Sequence, residues 1–168
     1  MVEPQKHLFK DDGVIPNHPT YPLLFYPREV ELTGPDPAAV FETLFRENGW
    51  GGSWRNGVFS FPHYHAEAHE VLGVYSGSAR IQLGGSSGIV AEVQSGDVIV
   101  IPAEVGHENL GSSAGFGVVE AYPPGQNPDI QHGVPDERNW GLNAIAKVTL
   151  PDTDPVYGAS GPLRSHWQ

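Results

Sequence analysis

The sequence predicts an all-β fold in which short strands are joined by tight turns. The 168 residues include 21 glycines and 16 prolines, a content that suits many turns. Between positions 58 and 121, short apolar segments recur at regular spacing with turn residues between them. Such spacing is typical of a β-barrel or β-sandwich. We expect one domain over 1–168, with its core at about 57–122 and flanking segments at 1–56 and 123–168.

The N-terminal third is expected to wrap the barrel rather than build it. Prolines stand at positions 4, 16, 19 and 22. Proline confines extended segments to the edges of sheets, so short edge pieces are predicted at 7–9 and 23–26.

The best helix signal lies at 37–48. Asp36 suits the N-cap, and Pro37 suits the first helical position. Phe41 and Phe45 fall on one face, and Gly49 suits the left-handed residue after a helix. The sequence therefore predicts an amphipathic helix that packs on a sheet.

The central segment is predicted to form antiparallel strands. Ala79, Ile81 and Leu83 alternate with polar residues, so one face of that strand should be buried. The full set of predicted strands is 58–65, 70–76, 79–83, 89–93, 97–101 and 116–121.

The remaining segments carry weaker signals. The glycine-rich segment 50–57 contains two tryptophans, and we interpret it as a loop. The tryptophans either pack in the core or line the mouth of a pocket. A weak helix is predicted at 136–147 and a late edge strand at 148–150, whereas 151–168 has little periodicity.

Composition excludes several classes of function. The formal net charge is −11, so binding to nucleic acids or to anionic membrane surfaces is not expected. The chain has no cysteine, which excludes disulfides and thiol catalysis. No secretory pattern and no apolar run of membrane-spanning length is visible, so we expect a cytoplasmic protein.

A group of metal-ligating residue types lies at the start of the central segment. His63 and His65 are two apart, so in an extended strand both side chains point to the same face. Glu70 follows after a short turn, and two imidazoles with a carboxylate form a metal site that needs a fourth ligand. His107 is the candidate, because it follows an apolar strand that ends at Pro102.

These two segments resemble the two sequence motifs of the cupin superfamily. The first motif, G-x5-H-x-H-x4-E-x6-G, fits at every position between Gly57 and Gly77. The second, G-x5-P-x-G-x2-H-x3-N, fits in part. Its inner glycine is Glu104 here, and its final asparagine position is Gly111. The flanking segments 9–13, 48–50, 68–73 and 121–125 are similar to YjlB-like small cupins.

The resemblance implies a jelly-roll β-barrel with one or two short flanking helices. It also implies that His63, His65, Glu70 and His107 bind a divalent transition metal, either iron, manganese, nickel, copper or zinc. His69 is an alternative to Glu70, since some cupins use a shorter spacer. Glu70 is favoured because its distance to Gly77 matches the motif.

Two classes of function follow from the resemblance. One is a metalloenzyme acting on a small oxygen-rich molecule, as a dioxygenase or as a sugar or acid isomerase. The other is a non-catalytic cupin that binds or senses a small molecule. Glu120 and Tyr122 share a strand face and would suit acid–base chemistry, although we expect a surface carboxylate and a packed phenol. A homodimer is expected from edge-type pieces at the N-terminus.

Overall fold

The computed structural model describes residues 1–168 and contains two antiparallel sheets flanked by three short α-helices. The helices are α1 (Pro37–Glu47), α2 (Pro135–Ala144) and α3 (Leu163–His166), and a 3-10 turn (Ile145–Lys147) follows α2. The strands are β1 (Gln5–His7), β2 (Leu23–Tyr26), β3 (Gly51–Asn56), β4 (Glu70–Ser76), β5 (Ser78–Leu83), β6 (Ile89–Gln94), β7 (Val98–Ile101), β8 (His107–Ser112) and β9 (Gly117–Tyr122).

The two sheets enclose the inner apolar core. The larger sheet has the order β1-β2-β7-β4-β9-β3, and the smaller has the order β6-β5-β8. Alternate residues of both sheets point inward, which is the pattern of a jelly-roll barrel. The all-β prediction is therefore confirmed. The inner core contains Leu23, Leu72, Val74, Ala79, Ile81, Leu83, Val93, Ile99, Ile101, Val105 and Val118.

A second apolar layer lies between the larger sheet and α1. Phe41 and Phe45 are fully buried there, beside Trp50. Pro37 begins the helix, and Gly49 adopts the left-handed conformation (φ 81°) just after it. The predicted helix is confirmed, but Asp36 makes no side-chain cap and pairs instead with Arg55 at 2.9 Å.

The central strands agree with the sequence prediction at most positions. β4 spans the predicted 70–76, and β5 buries Ala79, Ile81 and Leu83 as its alternation predicts. Gly77 turns the chain between these two strands with φ 71°, a conformation that glycine adopts without strain.

Two predictions around the site are wrong. The predicted loop at 50–57 contains β3, an exposed strand that pairs with β9 at the edge of the larger sheet. Its glycines accommodate an irregularity between Gly51 and Trp54, which hides the strand pattern. The predicted strand at 58–65 has only two isolated bridges, since Pro62 offers no amide hydrogen to a ladder.

The C-terminal segment packs against the outer layer. The predicted strand at 148–150 is wrong, because those residues join no sheet. Trp167 is fully buried, and its indole N–H donates to the Pro22 carbonyl at 2.8 Å. The Asp154 carboxylate accepts a hydrogen bond from the Tyr26 hydroxyl at 2.6 Å. No helix combines the length and hydropathy that crossing a bilayer requires.

Candidate metal centre

Three imidazoles and a carboxylate meet between the two sheets. His63, His65 and His107 are buried, and each offers a ligand atom within 4.8 Å of the others. Glu70 is also buried, and its Oε2 lies 3.2 Å from Nε2 of His65 and 3.2 Å from Nε2 of His107. The structure thus brings together all four residues that the sequence singled out. We call them the imidazole–carboxylate cluster.

Different elements hold the members of the cluster. Glu70 is the first residue of β4, where it pairs with Ile101 of β7. His107 begins β8 and faces His63 across a short antiparallel bridge, in which the His107 amide donates to the His63 carbonyl at 2.9 Å. The bridge replaces the predicted strand, and it brings the His63 and His107 rings to 4.1 Å between centroids.

Main-chain carbonyls contact the outer nitrogen of every imidazole. Nδ1 of His63 lies 3.1 Å from the Phe61 carbonyl oxygen, and Nδ1 of His107 lies 3.1 Å from that of Val105. Nδ1 of His65 contacts the Asp129 carbonyl. A carbonyl oxygen only accepts, so Nδ1 carries the hydrogen and Nε2 is left with a lone pair. This arrangement orients histidines that bind metals.

The inward-facing atoms need a cation between them. Two Nε2 lone pairs and the Glu70 carboxylate are all acceptors, and they face one another at 3.2 Å. A bound proton or a metal ion removes this repulsion. Burial disfavours protonated His65, but the Glu70 charge outweighs it and raises the pKa of His65 to about 9. Burial and the neighbouring His107 lower the pKa of His63 to about 3. The donor set therefore fits a metal ion.

His69 lies outside the cluster. Its Nδ1 accepts a hydrogen bond from the Ala103 amide at 2.9 Å, and its ring lies 4.7 Å from that of Trp167. Successive residues at the start of β4 point to opposite faces, so Glu70 enters the inner core while His69 enters the outer one. The structure brings Glu70, and not the alternative His69, to the three imidazoles.

A cavity of about 400 Å³ opens from the cluster to the surface. Trp54 and Phe59 line it together with the cluster, whereas Trp50 lies in the outer core. The two tryptophans of the segment 50–57 thus have different surroundings. Of the two alternatives that the sequence left open, Trp50 packs in the core and Trp54 lines the pocket.

Glu120 and Tyr122 also line this cavity. The expected surface carboxylate is therefore wrong at Glu120, whereas Tyr122 is a buried phenol as expected. The Tyr122 hydroxyl lies 3.1 Å from Oε1 of Glu70 and 3.3 Å from Oε2 of Glu120. Burial and the charge of Glu70 raise the pKa of Glu120 to about 7. Both residues are inward because β9 lies beside β4, with Glu120 opposite Leu72. The neighbouring strand could not be identified from sequence alone.

Sequence reasoning missed the segment after β9. Gln126, Asn127, Pro128 and Ile130 line the cavity, and Asp129 holds His65 through its carbonyl. The carboxylate of Asp129 accepts hydrogen bonds from the amides of Ala66 and Glu67. From the sequence, the core is expected to end at about 122, and no site residue is predicted in the segment that follows.

The second motif departs from its pattern without losing the turn. Glu104 occupies the glycine position with φ 71°, so the left-handed backbone is retained. Its Oε1 is buried without a hydrogen-bond partner. Asn109 does not reach the cluster, because its side chain bonds to Gly111 and Ser112 in its own turn.

The fold and the cluster together define a class of protein. It is a jelly-roll β-protein with three imidazoles and one carboxylate gathered between its sheets. A family model described as Cupin matches residues 54–144. The chain is also 42% identical to the uncharacterized protein YjlB of Bacillus subtilis, over 98% of this chain and 97% of that protein. The chain therefore belongs to the cupin family.

Other matches cover smaller parts of the chain. Prunin 1 of Prunus dulcis is 34% identical over 83 residues, which are 48% of this chain and 14% of prunin. Acireductone dioxygenase from Bacillus anthracis, solved with a cadmium ion in its active centre, is 17% identical. It aligns with a TM-score of 0.40 over 60% of this chain and 76% of that one. A likeness at this level carries no argument about the reaction.

Proposed function

We propose that the chain binds a divalent transition metal through His63, His65, Glu70 and His107, and that it acts as a metal-dependent enzyme on a small molecule with oxygen donors. One observation carries the proposal. The carbonyl contacts orient the imidazoles so that lone pairs face the Glu70 carboxylate, and this cluster opens into a cavity. Nitrogen and oxygen donors suit iron, manganese, nickel, copper or zinc.

In such an enzyme the metal ligands and the other cavity residues have different roles. A bound ion would polarise an oxygen of the substrate. The Tyr122 hydroxyl lies between the carboxylates of Glu70 and Glu120 but has only one hydrogen to donate. It donates to one carboxylate, and the contact with the other requires a proton on that carboxylate. Glu120 and Tyr122 can thus hold a proton beside the cluster and pass it to a bound molecule.

This proton-holding pair favours acid–base chemistry of the isomerase type over a dioxygenase. It also favours an enzyme over a binding module, since a module that only binds needs no titratable group beside its ligands.

The substrate's α-carbon would exchange its proton with solvent if the pair acts as proposed. Solvent deuterium incorporation into small α-hydroxy ketones, lost in Glu120→Gln, measures this directly. Oxygen uptake with iron-loaded protein, without deuterium incorporation, would instead select the dioxygenase branch.

Metal binding is tested separately by elemental analysis after purification and after reloading with Co²⁺ or Ni²⁺. We expect about one ion per chain, and a large loss of affinity in His63→Ala and in His107→Ala, because each variant removes one ligand. The matched control is His132→Ala, an exposed histidine outside the cluster. Full metal retention by both cluster variants would contradict the proposal.

A further inference from the structure

We propose that the cavity accepts uncharged molecules with an apolar body and two adjacent oxygen donors, and that it rejects dianions. This inference rests on the proposed metal site and adds the class of ligand. Among neutral chelators, α-hydroxy ketones and hydroxypyranones have this chemistry, whereas dicarboxylates do not.

The charges of the cavity wall are the first argument. Two carboxylates, Glu70 and Glu120, line the cavity, and no lysine or arginine does. Sites that bind carboxylates or phosphates usually contain arginine or lysine, because these side chains donate charge-assisted hydrogen bonds to anions. The wall therefore has no positively charged side chain to balance a second negative charge. Apart from the cluster and the Tyr122 hydroxyl, its other polar side chains are the neutral amides of Asn56, Gln126 and Asn127.

The nearest basic residue on β3 is unavailable. Arg55 follows Trp54, and successive side chains of a strand point to opposite faces. While Trp54 lines the cavity, Arg55 bonds to Glu42 at 2.5 Å and to Asp36 at 2.9 Å, beside α1. Its guanidinium is thus already paired on the other side of the sheet.

A bound divalent ion does not reverse this balance. With three neutral imidazoles and one carboxylate, the ion retains a single positive charge. An ionised Glu120 within the same wall cancels it. A neutral ligand keeps this balance at zero, and a ligand that loses one proton leaves one negative charge. A dianion would leave two negative charges in a partly buried site, which is the least favourable case.

The apolar part of the wall indicates the body of the ligand. Trp54, Phe59, Leu72 and Ile130 line the cavity. Phe59 packs edge-on to the His63 ring at 5.2 Å between centroids, so an apolar surface begins directly beside the cluster. Trp54 is 66% exposed, which leaves its face free to cover a flat ligand.

The test compares two chelators that each bind a metal through two adjacent oxygen atoms. Maltol has an apolar ring and is uncharged until its hydroxyl loses one proton on binding, whereas oxalate is a dianion. Both are titrated calorimetrically into Ni²⁺-loaded protein at pH 8.5, and each Kd is normalised to the probe's affinity for free Ni²⁺. We expect maltol to be favoured by about tenfold or more.

Two variants identify the cause. Glu120→Gln should raise the oxalate affinity by about tenfold, since it removes the opposing charge, with a smaller change for maltol. Trp54→Ala should weaken maltol and leave oxalate unchanged, because only maltol uses the apolar wall. Nickel content is measured in each variant and should equal that of the wild type.

The outcomes separate this inference from the proposed function. Protein that takes up no metal would overturn both. Protein that binds nickel, but binds oxalate as well as maltol and is indifferent to Glu120→Gln, would overturn the ligand class alone.

Discussion

Glu104 is a single residue whose backbone conformation and burial are both unfavourable, so its replacement has a predictable effect on stability. It adopts a left-handed backbone conformation and buries Oε1 without a partner, and burial raises its pKa to about 7. Glu104→Gly should stabilise the fold by about 1 kcal/mol at pH 8, because it removes both the backbone strain and the unpaired carboxylate. Urea unfolding measures the change.

The control for Glu104 is the alanine variant. Glu104→Ala removes the carboxylate but keeps a Cβ atom in the left-handed conformation, so it should be less stable than the glycine variant. A glycine variant that is less stable than alanine would show that backbone strain is not relieved at this turn.

His18 gives the stability a dependence on pH. Its Nδ1 accepts the Tyr21 amide at 2.9 Å, its ring stacks on Tyr21, and burial lowers its pKa to about 4. The unfolded chain has an ordinary histidine pKa of about 6.5 and binds more protons, so this contribution is lost as pH falls from 6.5 to 4. His18→Asn keeps an acceptor but does not titrate.

Unfolding free energies at several pH values between 6.5 and 4 test this prediction. His18→Asn should lose about 1 to 2 kcal/mol less than the wild type over that range, even if its stability at pH 7 is lower. The exposed His132→Asn should follow the wild-type slope. Parallel slopes for the wild type and His18→Asn would remove His18 as the cause.

At the scale of elements, α1 depends on one glycine of β4. A Cβ atom added to Gly73 would overlap the ring of Phe41, so the helix lies closer to the sheet than any larger residue permits. Gly73→Ala should destabilise the fold by about 1 to 3 kcal/mol through overpacking. Thermal unfolding measures the loss.

A double variant and a control complete this test. Phe41→Leu should recover part of the loss when it is combined with Gly73→Ala, because the smaller side chain makes room. Gly57→Ala should have little effect, since no atom lies within 4 Å of the added Cβ. Equal losses at both glycines would contradict a packing origin.

Helices and strands with a clear hydrophobic periodicity can be predicted from the sequence. Strands that are defined only by backbone pairing with a neighbouring strand cannot. α1 and β5 carry a complete periodic pattern, which predicts them at 37–48 and 79–83. β3 exposes all of its residues and β8 exposes half of them, and each is defined by its pairing, with β9 and β5 respectively. Backbone pairing leaves no hydrophobic pattern, so sequence reasoning misses both strands.

The site shows the same division. Motif spacing identified the four residues of the imidazole–carboxylate cluster, because that spacing reflects fixed positions along two segments of the chain. Strand alternation puts Glu120 and Tyr122 on one face, but the order of the strands decides that this face lines the cavity. Asp129 enters the site through the course of a loop, which leaves no pattern in one sequence.

At the scale of the whole molecule, the two ends of the chain meet. Trp167 stacks on Tyr21 at 5.3 Å and bonds to Pro22, so the last residues close the outer core against the N-terminal third. Trp167→Ala should cost about 3 to 5 kcal/mol. Chemical unfolding of that variant, beside the exposed Gln168→Ala, gives the comparison. An effect no larger than that of Gln168→Ala would contradict the packing.

The assembly of the whole molecule stays a prediction. β1 and β3 are the outer strands of the larger sheet, and their free edges are the places where two chains of a homodimer can pair.

The loop at 126–130 both lines the cavity and positions a residue of the imidazole–carboxylate cluster. It forms one wall of the cavity, and the carbonyl of its Asp129 fixes the ring of His65. If the cluster binds an ion as proposed, a redesign of that wall will also shift His65 and change the affinity for the ion. Ligand preference and metal affinity should then change together in variants of this loop.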